Sequence, residues 1–77
     1  MAPEQTEAFI KDFLKAIHEQ VDQAAAIAKA AEACAANGSI SKAIAIALDV
    51  EELTYAANNL LSAAAFLRRQ IDPNLAS

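Results

Sequence analysis

Cysteine is all but missing from these 77 residues. Cys34 stands alone, so no disulfide can form within the chain, and with His18 as the single histidine nothing resembles a zinc ligand set. Glycine occurs once, at Gly38, and proline twice, at Pro3 and Pro73, so little interrupts a helix except the Asn37-Gly38 pair. Long apolar runs are lacking as well. The most alanine-rich stretch, residues 24–36, is broken by Lys29 and Glu32 and falls well short of the roughly 20 residues a spanning helix needs. Met1-Ala2-Pro3-Glu4 shows no basic segment followed by an apolar one, so it does not read as a secretory signal, and a cytoplasmic protein is the expectation. The formal charge of −4 disfavours phosphate backbones and anionic membrane surfaces as partners.

What is present is apolar and helix-forming. Hydrophobic residues make up 56% of the chain, dominated by alanine, the residue with the highest helix propensity and a side chain small enough for close backbone approach. That composition belongs to a folded helical protein. A chain of this length buries a smaller fraction of its surface than a larger domain would. With no disulfide or metal to staple it, association is the remaining source of stability.

The spacing predicts two helices. Pro3 and Glu4 suit a first helical turn, and Ile10, Leu14, Ile17, Val21, Ala24, Ala28, Ala31 and Ala35 alternate four and three apart, giving a first helix over about 3–36. Asn37-Gly38 is a C-terminal stop because both residues tolerate positive φ, with a turn over 37–39 and Ser39 or Ser41 available to cap the second helix. Ile46, Val50, Leu53, Ala57, Leu60, Ala64, Leu67 and Ile71 repeat the heptad spacing, giving a second helix over about 40–71 that passes Asp49 without losing phase. Arg68, Arg69 and Asp72-Pro73 mark its end, and 72–77 is expected to be a tail.

So short a connection folds the helices antiparallel, residue i lying opposite roughly residue 75 − i. The expected fold class is therefore all-α: one domain over 1–77, an antiparallel two-helix hairpin assembling as a homodimeric four-helix bundle. Two helices cannot enclose a core, and the chain has more apolar residues than one stripe can use. Phe9, Phe13, Leu61 and Phe66 form an expected cluster at the open end, and Ile44, Leu48 and Tyr55 an outer stripe. These seven are the expected interface, engaging partners by helix-to-groove packing, with Leu48 and Tyr55 expected to be needed for assembly.

Three constellations could carry chemistry. His18 has Asp22 one turn on, an arrangement compatible with an exposed phosphotransfer histidine, but Glu19 and Asp22 stand where a phosphoryl group would sit. Cys34 lies among alanines without a base, and His18 is about 16 residues, or roughly 24 Å, away along the same helix. The run Ala45 to Tyr55 resembles a helix-turn-helix core, with Asp49 as cap and Glu52 completing a capping box, although Glu51 and Glu52 would point at phosphates. Taken together, these features read as a non-enzymatic protein–protein interaction module, an adaptor, chaperone-like cofactor or regulator, with no cofactor, metal, nucleic acid, membrane or evident small-molecule substrate. Its alternatives are a helix-turn-helix-like nucleic-acid-binding regulator and a phosphotransfer bundle using His18.

Overall fold

The first helix begins where proline removes an N–H that would have had no partner. Ala2 is extended (φ −66°, ψ 143°), Pro3 opens the helix, and α1 runs Pro3–Ala36. Thr6 fixes this first turn: its N–H and its hydroxyl both donate to the Ala2 carbonyl oxygen, at 3.1 and 3.3 Å. The computed structural model describes residues 2–72, and among these every regular element is helical. The expected tail from 73 onward lies outside the described residues.

Glycine ends α1. Gly38 has φ +91°, its N–H donates to the Ala35 carbonyl at 2.9 Å, and the Ser39 N–H reaches back to the Cys34 carbonyl at 3.2 Å. Those two bonds are the paired pattern of a Schellman stop, and they satisfy carbonyls that a helix end otherwise leaves bare. The Cys34 thiol adds a weak bond to the Ser39 carbonyl at 3.6 Å. Ser39 stands at the N-cap of the next helix through its backbone, its carbonyl accepting from Ala43 N–H at 2.9 Å, and its side chain makes no capping bond.

The return limb differs from the single helix its spacing predicts. It is divided into α2 (Ile40–Ala47) and α3 (Val50–Ile71). Leu48 N–H still bonds four residues back, to Ile44 at 3.0 Å, but Asp49 and Glu51 bond three residues back, to Ile46 and Leu48, each at 3.1 Å. Both intervening residues keep right-handed helical angles (Leu48 −62°, −24°; Asp49 −65°, −19°), so the chain tightens by one turn and continues. The cause is local: Asp49 is a poor helix-interior residue, and Ile44, Ile46 and Val50 are β-branched. Burial keeps its period across the joint, through Ala43, Ile46, Val50, Leu53 and Ala57. Heptad phase and hydrogen-bond ladder are thus separable, which is why the spacing alone missed the interruption.

Helices α2 and α3 both pack along α1, making a hairpin. The seam of α1 is turned from its expected position. Thr6, Ile10, Phe13, Ala16, Ile17, Gln20, Ala24, Ile27, Ala31, Cys34 and Ala35 are the buried or half-buried residues, whereas Leu14, Val21 and Ala28, which the heptad places in the seam, are exposed. Small residues explain the turn. Ala24 and Ala31 of α1 and Ala43, Ala57 and Ala64 of the return limb are the buried apolar side chains. At a register near 75 − i most of them lie opposite a larger residue, Ala64 against Ile10, Ala57 against Ile17 and Ala24 against Val50, with Ala31 against Ala43.

The result is a single layer. The molecule extends 54 × 22 × 14 Å, an elongated shape in which the two limbs of the hairpin lie side by side. Its radius of gyration, 17.1 Å, compares with about 11.5 Å for a compact domain of this length.

Candidate functional site

No side chain larger than threonine is fully buried among the described residues; the most enclosed is Thr6, at 1% exposure. Ten large apolar residues among them are exposed instead: Phe9, Leu14, Val21, Ile40, Ile44, Leu48, Tyr55, Leu61, Phe66 and Ile71. A hairpin whose core is alanine and whose surface carries leucine, isoleucine and phenylalanine reverses the usual distribution. Water meets the residues that would gain most from leaving it, each about 1.5–3 kcal/mol on full burial.

These residues fall into distinct places. Ile10 and Leu14 of α1 and Leu61, Ala64, Ala65, Arg68 and Ile71 of α3 wall an open apolar groove of about 300 Å³ at the open end of the hairpin. Residues 10 and 14 sharing a groove with residues 61–71 agrees with an antiparallel register near 75 − i. In an antiparallel pair, positions one step clockwise of each seam share one broad side. At about 100° per residue that side carries Leu14, Val21 and Ala28 of α1 with Leu61 and Arg68 of α3. Phe9 lies on the other flank of α1 and, like Phe66, is not part of the groove wall. The seven expected interface residues therefore do not form one patch. Phe13 is half-buried in the seam, Leu61 belongs to the groove, Phe9 and Phe66 lie away from it, and Ile44, Leu48 and Tyr55 lie on the return limb. Leu48 and Tyr55, two turns apart, project on the side away from α1, Tyr55 being 71% exposed.

Leu14 and Val21 were absent from the expected interface because their heptad positions assign them to the hairpin seam. The signal that finds them is the surplus of bulky residues at 9, 13 and 14: a seam lined by alanine has room for only one of these rows.

The chemically suggestive residues are dispersed. His18 Nε2 lies 3.3 Å from Asp22 Oδ2, both side chains are largely exposed, and neither touches the groove. Lys15 stands one turn before His18 on the same helix, but the group the imidazole contacts is a carboxylate, the wrong charge to sit beside a phosphoryl oxygen. Cys34 is half-buried and free, its thiol directed at the Ser39 carbonyl. Among the described residues no three His, Cys, Asp or Glu side chains converge on a point that could hold a metal ion.

The joint at Leu48-Asp49 coincides with the position where a helix-turn-helix would bend. Asp49 makes no side-chain capping bond, however, so the capping box with Glu52 does not form. Thr54 supplies the local bonds there, its hydroxyl donating to the Val50 and Glu51 carbonyls at 3.1 and 3.0 Å. Both helices lie along α1 instead of folding on each other. Glu51 and Glu52 are exposed at the start of α3, where a recognition helix would need to approach phosphates.

One residue in the seam is unsatisfied. The Gln20 side-chain oxygen is buried and has no hydrogen-bond partner. Among the described residues no helix is long and apolar enough to cross a membrane. No family model, curated protein or solved structure matches this chain.

Proposed function

We propose that this protein is a non-enzymatic protein–protein interaction module, an adaptor or regulator that works as a homodimeric four-helix bundle. The observation that carries the reading is the one-layer hairpin with an alanine core and, among the described residues, ten exposed large apolar side chains. Folded helical domains bury such residues between two layers, and a second hairpin laid on the first supplies the missing layer. Two-fold pairing is the commonest way for one chain to do this.

The outer row of Leu48 and Tyr55, with Ile44 nearby, is the surface such a bundle leaves free. Its chemistry suits the apolar stripe of a helix from another protein, the tyrosine giving a broad anchor at low entropic cost. The test separates the two surfaces. From sequence alone, Leu48 and Tyr55 are expected to be needed for assembly. Because both project away from α1, a Leu48→Asp/Tyr55→Asp chain is here expected instead to keep the scattering mass of two copies and lose affinity for a helical partner. If the double variant instead scatters as one copy, the outer row belongs to the self-interface and the division is wrong.

A further inference from the structure

We infer that the second copy lies on the broad side carrying Leu14, Val21 and Leu61, antiparallel to the first, with Val21 against its own counterpart at the two-fold axis. This rests on the dimeric reading above and specifies the face and the register.

The phase of α1 selects the face. Its heptad stripe runs Ile10, Leu14, Ile17, Val21, Ala24, Ala28 and Ala31, and alternate members differ in fate. Ile10, Ile17, Ala24 and Ala31 are half-buried or buried against the return limb, while Leu14 and Val21 are 50% and 52% exposed and Ala28 is exposed too. The stripe is therefore centred between the line to α3 and the open side. A helix in a four-helix bundle has two neighbours roughly at right angles, and its apolar stripe aims between them at the bundle axis. One neighbour of α1 is in place, and the offset points to where the other belongs. Leu61, 54% exposed, and the groove wall of α3 lie on the same side. The opposite flank carries Gln23 and Gln70 beside Phe9, and the chosen side has polar members of its own in Glu7, Thr54 and Arg68. It is the exposure of Leu14, Val21 and Leu61 in line along the chosen side that selects the face.

Size and charge select the register. Along α1, bulk is gathered toward the open end (Ile10, Leu14) and alanine toward the turn (Ala28, Ala31, Ala35), while the return limb brings Ile40 and Ile44 to the turn end. Antiparallel stacking sets the bulky end of one copy over the alanine end of the other, Leu14 facing Ala28, and keeps the spacing between layers even. Parallel stacking would pile leucine on leucine and leave alanine facing alanine across a gap. With Val21 at the axis, Lys11 and Glu32 lie roughly 15 and 16 Å to either side and face each other across copies. Both are exposed on the outer edge of this side, and neither has an ion-pair partner in its own chain among the described residues. The available face, 54 by 22 Å, offers on the order of 1,000 Å² per copy, above the roughly 800 Å² per partner of a standard interface.

Single-cysteine chains on a Cys34→Ser background test this with a short thiol-to-thiol crosslinker, alongside sedimentation of the parent chain. Val21→Cys is expected to crosslink at least tenfold more than Leu48→Cys. A mixture of Leu14→Cys and Ala28→Cys chains is expected to give more crosslinked product than either chain alone. Crosslinking of Leu48→Cys without Val21→Cys in a chain that sediments as a dimer overturns the face and leaves the dimer standing. Leu14→Cys crosslinking to itself more than to Ala28→Cys overturns the register. A chain that sediments as one copy overturns the dimeric reading itself.

Discussion

Leu14 of α1 and Leu61 of α3 wall one groove from opposite limbs of the hairpin, yet each remains about half exposed. They touch the same space without closing it. Placing a carboxylate on each, in a Leu14→Asp/Leu61→Asp chain, sets four charges in the proposed interlayer core of a dimer. Uncompensated buried charge still costs several kcal/mol per group after relaxation, so self-association is expected to weaken by more than about 100-fold. The check is light-scattering mass together with far-ultraviolet circular dichroism, and a dimer that persists at low micromolar concentration contradicts the assignment.

Gly38 holds φ +91° in the Schellman stop, and no atom crowds the site where a Cβ would stand. The penalty for a side chain there is purely backbone strain. Gly38→Ala is expected to lower stability by about 1–2 kcal/mol, and Gly38→Val by more, because β-branching adds to the strain of the left-handed region. Urea unfolding of both variants measures it, and an unchanged midpoint for Gly38→Ala would show that the turn is not held as described.

Gln20 buries a carbonyl oxygen without a donor in the seam facing the return limb. Leucine at the same position removes the unsatisfied group and keeps similar volume. Gln20→Leu is expected to stabilise the fold by about 1 kcal/mol, a rise in melting temperature of roughly 4–8 °C for a domain of this size. A fall in melting temperature would mean that the amide finds a partner in the assembled protein.

His18 and Asp22 form an exposed i, i+4 contact at 3.3 Å. Such pairs contribute little, so His18→Ala is expected to change stability by less than about 0.5 kcal/mol and to leave the oligomeric mass unaltered. Thermal melts and scattering together check this. Loss of a partner interaction on this substitution alone would place His18 in a binding surface outside the one proposed.

The hairpin was legible in the sequence because its punctuation is chemical: Pro3 at a first turn, Asn37-Gly38 at a stop, a single glycine where φ must be positive. Heptad spacing also carried the return limb's seam through Val50, Leu53, Ala57, Leu60 and Ala64. It could not carry the ladder. The exchange of i−4 for i−3 bonds at Asp49 and Glu51 costs no change of side-chain phase large enough to disturb the apolar repeat. Nor could it tell which edge of a wide stripe turns inward. Residues 13 and 14, or 20 and 21, present equal claims by spacing, and the choice falls to the small residues, since alanines let the backbones close on the side where they lie. Phe13 and Gln20 are drawn in beside them, and Leu14 and Val21 are left out. The unused edge of a seam has no motif, which is why the exposure of Leu14 and Val21 was not legible in the spacing.

Sedimentation equilibrium of the unmodified chain, from about 1 to 100 µM, is the most direct test. The expected result is a species of twice 8.1 kDa that dissociates when Val21 or Leu14 is made charged. A stable, fully helical species of 8.1 kDa throughout that range, with Leu14, Val21 and Leu61 still open to water, would contradict it.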